Sequence, residues 1–282
     1  MGTVIAAGHH CIPIAHIHGG ETTEGAIDES IRHSITKFSH LHFTSCDEYY
    51  KRVIQLGENP NFVFNVGALG VENILTQKLL SREELGNDIF FTKGKYALVT
   101  FHPVTLEKNT AEHQLKEMLE AFLLFDDLKF IITKSNADAG GKIINKIIDQ
   151  YCCEYPNKFY SEFSLGMIRY LSSMKYADLV IGNSSSGIIE SPSFKVPTIN
   201  IGDRQKGRKQ AISIINCKPI KREIYEAMKL GLSQQFRNKL VDMSSPYGFG
   251  KTSQRMIDII KLNIKSNKID LKKKFYDINF KP

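Results

Sequence analysis

Short apolar runs of strand length recur along the chain, each followed by a stretch whose apolar positions fall three and four apart, the period of a helix. In the first part the apolar runs are IPIAHIH (12–18), LHFTSC (41–46) and FVFNVG (62–67), with helical stretches at 28–39 and 46–57 between them. Gly57 with Asn59 and Pro60 stops the second helix, and Asp28 with Arg32 and Glu29 with His33 stand at i,i+4 on the first. A charged, mixed segment at 75–95 reads as a hinge. Beyond it the strands are 96–105, 128–136, 159–163, 177–183 and 197–202, alternating with helices at 111–125, 141–151 and 165–176. A last helix at 251–263 follows the loop SSPYGFG. Strands that alternate with helices predict an α/β protein with parallel, right-handed, doubly wound sheets.

The length of 282 residues exceeds one ordinary domain, so two are expected. No apolar run reaches the eighteen or so residues of a membrane span, and the N-terminus lacks the basic start of a signal peptide. Five cysteines with no CxxC spacing point to reduced thiols and a cytoplasmic protein. The net charge of +7 changes its meaning once located. Seven lysines against Asp270 and Asp277 lie from residue 261 onward, so most of the excess is one basic C-terminal segment. A solvated helix face explains it better than nucleic acid or lipid, because no nucleic-acid-binding motif accompanies it.

Ligands of open parallel sheets sit beyond the carboxyl ends of the strands. After the first strand, His16, His18, Glu21, Glu24, Asp28 and Glu29 gather around Gly19-Gly20. After the strand at 177–183 come Asn183, Ser184, Ser185, Ser186 and Gly187, then Glu190. Hydroxyls and bare N–H groups at a helix start suit a phosphate, although a serine-rich loop that caps its own helix has the same composition. The next strand leads to Arg204, Lys206, Arg208 and Lys209, either a phosphate clamp or a solvated basic loop. Two further strand ends carry His102 and the pair Asn136 and Asp138. Four strand ends with polar groups could together hold a nucleotide. His16 and His18, at i,i+2, would share a strand face and could start a zinc site, but no third ligand has a recognised spacing.

In this order, IPIAHIHGGETTEGAIDESIRHSITKFSHLHF, VTFHPVT, GNSSSGIIESPSF and NIGDRQKGR resemble the hydrolysing UDP-N-acetylglucosamine 2-epimerases of sialic- and legionaminic-acid biosynthesis. The resemblance runs from about residue 12 to 260. It implies a GT-B-like architecture, two Rossmann-like lobes with the sugar nucleotide in the cleft between them. The first lobe would cover 1–75 and the nucleotide-binding lobe 76–245. Residues 246–282 would supply a helix returning to the first lobe and the basic tail. The implied reaction releases UDP and the 2-epimeric free sugar, of the N-acetylmannosamine type, through elimination to a glycal and addition of water, with no metal or redox cofactor. By position, Asp28 falls on an acid/base carboxylate, and His18 falls where related epimerases carry Glu. His102 falls near the phosphates and sugar. Ser184, Ser185, Glu190 and Arg204 fall on contacts to the uridine diphosphate, and Asn136 on a loop of the nucleotide lobe. The family also carries an earlier Gly-Asp-Arg segment with a catalytic carboxylate and a phosphate-binding Arg. The chain shows no such segment before residue 12, so an incomplete first lobe is expected. The partners implied are a UDP-sugar and, in homo-oligomers, copies of the same chain. A nucleotide-binding remnant without turnover and a GT-B glycosyltransferase share the second lobe. UDP binding without release marks the first, and an acceptor-dependent reaction the second. UDP against GDP, and the exact sugar, stay open.

Overall fold

The computed structural model describes residues 1–24, 28–104, 110–135, 141–248 and 250–279. The chain divides into two compact units, one of 1–23, 27–76 and 246–282, the other of 24–26 and 77–245.

The first unit opens on helix α1 (Gly2–His9), which the apolar pattern had not marked. Strand β1 (Ala15–Ile17) is shorter than the run at 12–18, because Pro13 has no ladder N–H and His18 turns left-handed at φ 64°. Helix α2 (Asp28–Phe38) leads to β2 (Leu41–Thr44), buried along its whole length. Helix α3 (Asp47–Gln55) buries Tyr49 and Val53, one turn apart, and carries Asp47 and Glu48 in the first turn, where the helix dipole favours negative charge. A 3₁₀ turn precedes β3 (Val63–Asn65), and α4 (Leu69–Thr76) follows. The three strands are parallel in the order β1-β2-β3, with His16 opposite His42 and Phe43 opposite Phe64.

The second unit begins with α5 (Arg82–Asp88), whose start is a capping box. Ser81 Oγ accepts from the Glu84 N–H, and Glu84 accepts from the Ser81 N–H. Then come β4 (Tyr96–Thr100), α6 (Ala111–Phe122), β5 (Lys129–Thr133), α7 (Gly141–Glu154), β6 (Phe159–Glu162), α8 (Gly166–Tyr176) and β7 (Leu179–Gly182). One helical turn, α9 (Ser186–Ile189), leads through a 3₁₀ turn to β8 (Thr198–Ile201). Strand β9 (Ile214–Cys217) and the helices α10 (Lys221–Leu232) and α11 (Gln234–Asn238) complete the unit. Its six strands are parallel in the order β6-β5-β4-β7-β8-β9. Five strands were expected here; β9 is the sixth, at the edge. Both faces are covered. Val99, Phe122, Phe130 and Ile181 belong to one buried cluster, and Leu98, Ile131, Met174 and Val180 to another. The chain starts in the middle of this sheet and winds to each side in turn, so its switch point falls between β4 and β7.

The chain then returns to the first unit as α12 (Thr252–Lys265). Met256 packs there with Leu41, Phe43 and Val66, and Ile259 and Ile260 lie against that cluster. Thr252 Oγ1 donates to the Val66 carbonyl at 3.1 Å.

Candidate active site

At the switch point of the second unit, Gly182 ends β7 with φ 135°. A Cβ there would stand 1.9 Å from the Thr100 carbonyl oxygen, so only glycine lets β4 and β7 approach so closely. Immediately beyond, Asn183 is 1% exposed and binds both backbone groups of His102. Its Oδ1 accepts from the His102 N–H at 2.8 Å, and its Nδ2 donates to the His102 carbonyl at 2.8 Å. The Asn183 carbonyl in turn accepts from Arg204 Nη1 at 3.0 Å and from Gln205 Nε2 at 2.8 Å. Three strand ends, those of β4, β7 and β8, are thus tied through one asparagine.

Around this knot runs a set of hydroxyls. Tyr170 Oη and Ser186 Oγ are 2.6 Å apart, Ser186 Oγ donates to Ser184 Oγ at 3.2 Å, and Thr100 and Thr133 pair at 2.6 Å. The His102 ring lies 3.4 Å from Ser135 Oγ. A cavity of about 380 Å³ is lined by His102, Thr133, Ser184 and Ser186, with Phe163 and Met167 beside them. Phe163 is 75% exposed, an open ring at the mouth, and Lys134 Nζ stands 4.5 Å over its centre. Neither Asn183 nor Phe163 had been assigned a role from the sequence. Asn183 looked like the end of a strand and Phe163 like part of one.

The serine loop differs in detail from its reading. Ser185 is the N-cap of α9 and makes no side-chain capping bond. Glu190 stands where that single turn passes into the next 3₁₀ turn, not one turn inside a longer helix. The basic segment also divides: Arg204 turns onto Asn183, whereas Lys206 is exposed and lies 3.4 Å from Glu24. Asn136 and Asp138 lie outside the described residues.

In the first unit the polar groups after β1 form a second network. His18, left-handed at φ 64°, places Nδ1 2.6 Å from Glu21 Oε1, which also accepts from Ser45 Oγ at 3.1 Å. Such a backbone conformation costs a non-glycine residue energy and persists where its surroundings enforce it. Gly20 makes the turn possible, since a Cβ there would lie 2.4 Å from the Tyr49 carbonyl oxygen. Glu29 accepts from the Thr23 N–H at 2.6 Å, from Arg32 at 2.9 Å and from His33 at 3.0 Å. Burial is the largest single influence on its carboxyl and acts upward. The bonds from Thr23 and His33 and the Arg32 charge outweigh it and hold the group below its ordinary range. Arg32 therefore pairs with Glu29, three residues away, not with Asp28 as the i,i+4 spacing had suggested; it also binds the Glu21 carbonyl and the Thr23 hydroxyl. Asp28 itself is exposed at the first residue of α2.

The two histidines of β1 do not act as a same-face pair, because the strand ends at Ile17 before His18. His16 is buried against Thr36, its Nδ1 3.2 Å from the hydroxyl. Burial, then the His42 and Arg32 charges, lower its pKa to about 4. Among the described residues, no group of three or more His, Cys, Asp or Glu is placed to hold a metal ion, and no helix is long and apolar enough to cross a membrane.

A doubly wound sheet with a polar site at its switch point, joined to a second parallel unit, defines a two-lobed Rossmann-like α/β protein. The model of the UDP-N-acetylglucosamine 2-epimerase family matches residues 1–261, and the chain belongs to that family. It is 46% identical over 279 residues to the polysialic acid biosynthesis protein P7 of Escherichia coli, a match covering 99% of this chain and 71% of that one. It is 46% identical over 206 residues to the hydrolysing GDP/UDP-N,N'-diacetylbacillosamine 2-epimerase of Campylobacter jejuni, covering 73% of this chain and 54% of that one. Among solved structures, the UDP-GlcNAc 2-epimerase of Neisseria meningitidis bound to UDP-GlcNAc superposes with a TM-score of 0.78 at 15% identity, over 92% of this chain and 72% of that one. That likeness is one of fold, and the fold is GT-B-like.

Proposed function

We propose that the protein is a hydrolysing sugar-nucleotide 2-epimerase acting on UDP-N-acetylglucosamine or a related nucleotide-linked N-acetylhexosamine, within cytoplasmic nonulosonic acid biosynthesis. A base removes the C2 proton, the C1–O bond to the diphosphate breaks with its electron pair leaving on UDP, and a glycal remains. Water then adds to C1 while a proton returns to C2 on the opposite face. Asp28 serves as an acid/base group. His18, oriented by the Glu21 carboxylate, serves as the second; a histidine held by a carboxylate is the usual form of such a group. His102, Arg204, Ser184 and Ser185 surround the diphosphate and stabilise its charge as it departs. Glu190 accepts from the ribose hydroxyls, Asn136 belongs to the same nucleotide loop set, and the open Phe163 ring offers the base a stacking surface.

The observation that carries this reading is the Asn183 knot at the switch point, which fixes His102 beside a hydroxyl-lined cavity in a member of this family. Incubation with UDP-N-acetylglucosamine tests it. UDP and the free 2-epimeric sugar are expected in equal amounts. UDP binding without release, or sugar transfer that requires an added acceptor, would overturn it. Arg204→Met should weaken UDP binding roughly 10- to 100-fold, the loss of a hydrogen bond to a charged group.

A further inference from the structure

In the basic C-terminal segment, Lys261 and Lys265 lie exposed on α12, as a solvated helix face would, but the part beyond the helix is anchored and not loose. Helix α12 ends at Lys265, and as far as residue 279, the last one described, the chain then runs along the first unit without further helix or strand. Ile269 packs against the cluster of Leu41 and Phe43. The Tyr276 N–H donates to the Gly57 carbonyl at 2.9 Å. Phe275 fills the space where Gly57, at φ 83°, has no side chain; a Cβ there would lie 2.2 Å from the ring. Lys37 Nζ stands 4.8 Å from the centre of the same ring.

Between these anchors Lys273 turns inward. Its ammonium lies 3.1 Å from the Thr36 carbonyl oxygen, 2.8 Å from that of Lys37 and 2.7 Å from that of Ser39. The last carbonyls of a helix have no partner within it and carry the negative end of its dipole. Lys273 adds a cationic donor at the end of α2, where the Thr36 carbonyl also accepts from the Ser39 N–H at 3.1 Å, from more than two hundred residues away. The Lys273 side chain keeps a quarter of its surface open, and its counter-charge is Glu58, itself buried, which stands 2.7 Å away and also accepts from Lys37 at 2.7 Å and His42 at 2.9 Å. Burial pulls the Lys273 pKa down, and Glu58 works against that.

The other end of α2 carries Asp28, and through Arg32 and Glu29 it holds residues 21–23, where Glu21 meets His18. A slip of one residue along a helix moves every group on it by about 1.5 Å. We propose that Lys273 is a positioning residue, which clamps the C-terminal end of α2 from the tail and thereby sets the register of the turn bearing Asp28, Glu29 and the His18–Glu21 pair. The inference rests on reading Asp28 and His18 as the acid/base groups. Glu58 is its counter-charge and the Phe275–Gly57 contact its latch.

The test compares Lys273→Met, Lys273→Arg and the milder Phe275→Ala with Lys268→Met, which removes one exposed lysine of the same tail. Two quantities are read on the full chain: amide hydrogen exchange across 28–38, and kcat and KM for UDP release beside the Kd for UDP. Lys273→Met and Phe275→Ala should speed exchange at 28–32 as well as at 36–38. They should lower kcat at least tenfold and leave the UDP Kd within twofold; Lys273→Arg should recover most of the loss, and Lys268→Met should change nothing. Faster exchange confined to 36–38 with kcat within twofold of the parent would reduce Lys273 to a stability contact and overturn the proposal. A parallel fall of kcat and UDP affinity would do the same. If the parent chain releases no UDP, the catalytic reading fails by itself, and exchange at 28–32 still decides whether the clamp reaches the far turn.

Discussion

Asn183 concentrates more of the site's geometry than any titratable group in it. Its amide bonds both backbone groups of His102, and its carbonyl gathers Arg204 and Gln205; Asn183 and Gln205 are buried, His102 and Arg204 half-buried. Asn183→Ala removes the two bonds to the His102 N–H and C=O, each loss costing about 1–3 kcal/mol. A fall in unfolding free energy of that size and a weaker UDP Kd should appear together. His16 gives a pH signature. Its folded pKa of about 4 lies below the ordinary 6.5, so the stability it contributes is complete above pH 6.5 and is lost as pH falls toward 4. His16→Gln should flatten the decline of melting temperature in that window. Glu58 acts lower. Burial alone would raise its carboxyl, but hydrogen bonds from His42, Lys273 and Lys37 bring it to about 2, so its contribution is lost as pH falls from about 4.5 toward 2.

At the scale of the element, Gly182 is the point where strand and site depend on the same atom. Gly182→Ala combines a left-handed backbone with a clash against the Thr100 carbonyl, and should cost roughly 2–4 kcal/mol in urea denaturation. The apolar runs that became β4, β5 and β7 were legible because buried parallel strands are largely apolar, and β2 kept Leu41 and Phe43 of that pattern. Strand β9 was not, since its four residues are only half covered at the sheet edge. Helix α10 and helix α5 did leave signals. Ile224, Ala227, Met228 and Gly231 recur at helical spacing, and Ser81 with Glu84 is a capping box inside a segment read as a hinge. His102, Ser184 and Arg204 could be singled out because they follow the ends of β4, β7 and β8. Their partners were missed, because the bond from Asn183 to His102 spans 81 residues and depends on strand order, which periodicity does not reveal.

For the whole molecule, two parallel sheets place the polar groups of each unit at strand ends, and the proposed function is what would link those groups to one reaction. The tail shows where composition misleads: its lysines look like a solvated face, yet one of them is spent on the end of a helix and a buried glutamate. The central claim is that the C2–H and C1–O bonds are both broken and UDP departs. Reaction with UDP-N-acetylglucosamine in D₂O, followed by NMR of the sugar, tests it most directly. The account predicts a free 2-epimeric sugar with deuterium at C2 and one UDP for each sugar formed. A released sugar that keeps its original C2 proton, or a nucleotide sugar that remains intact, would contradict it.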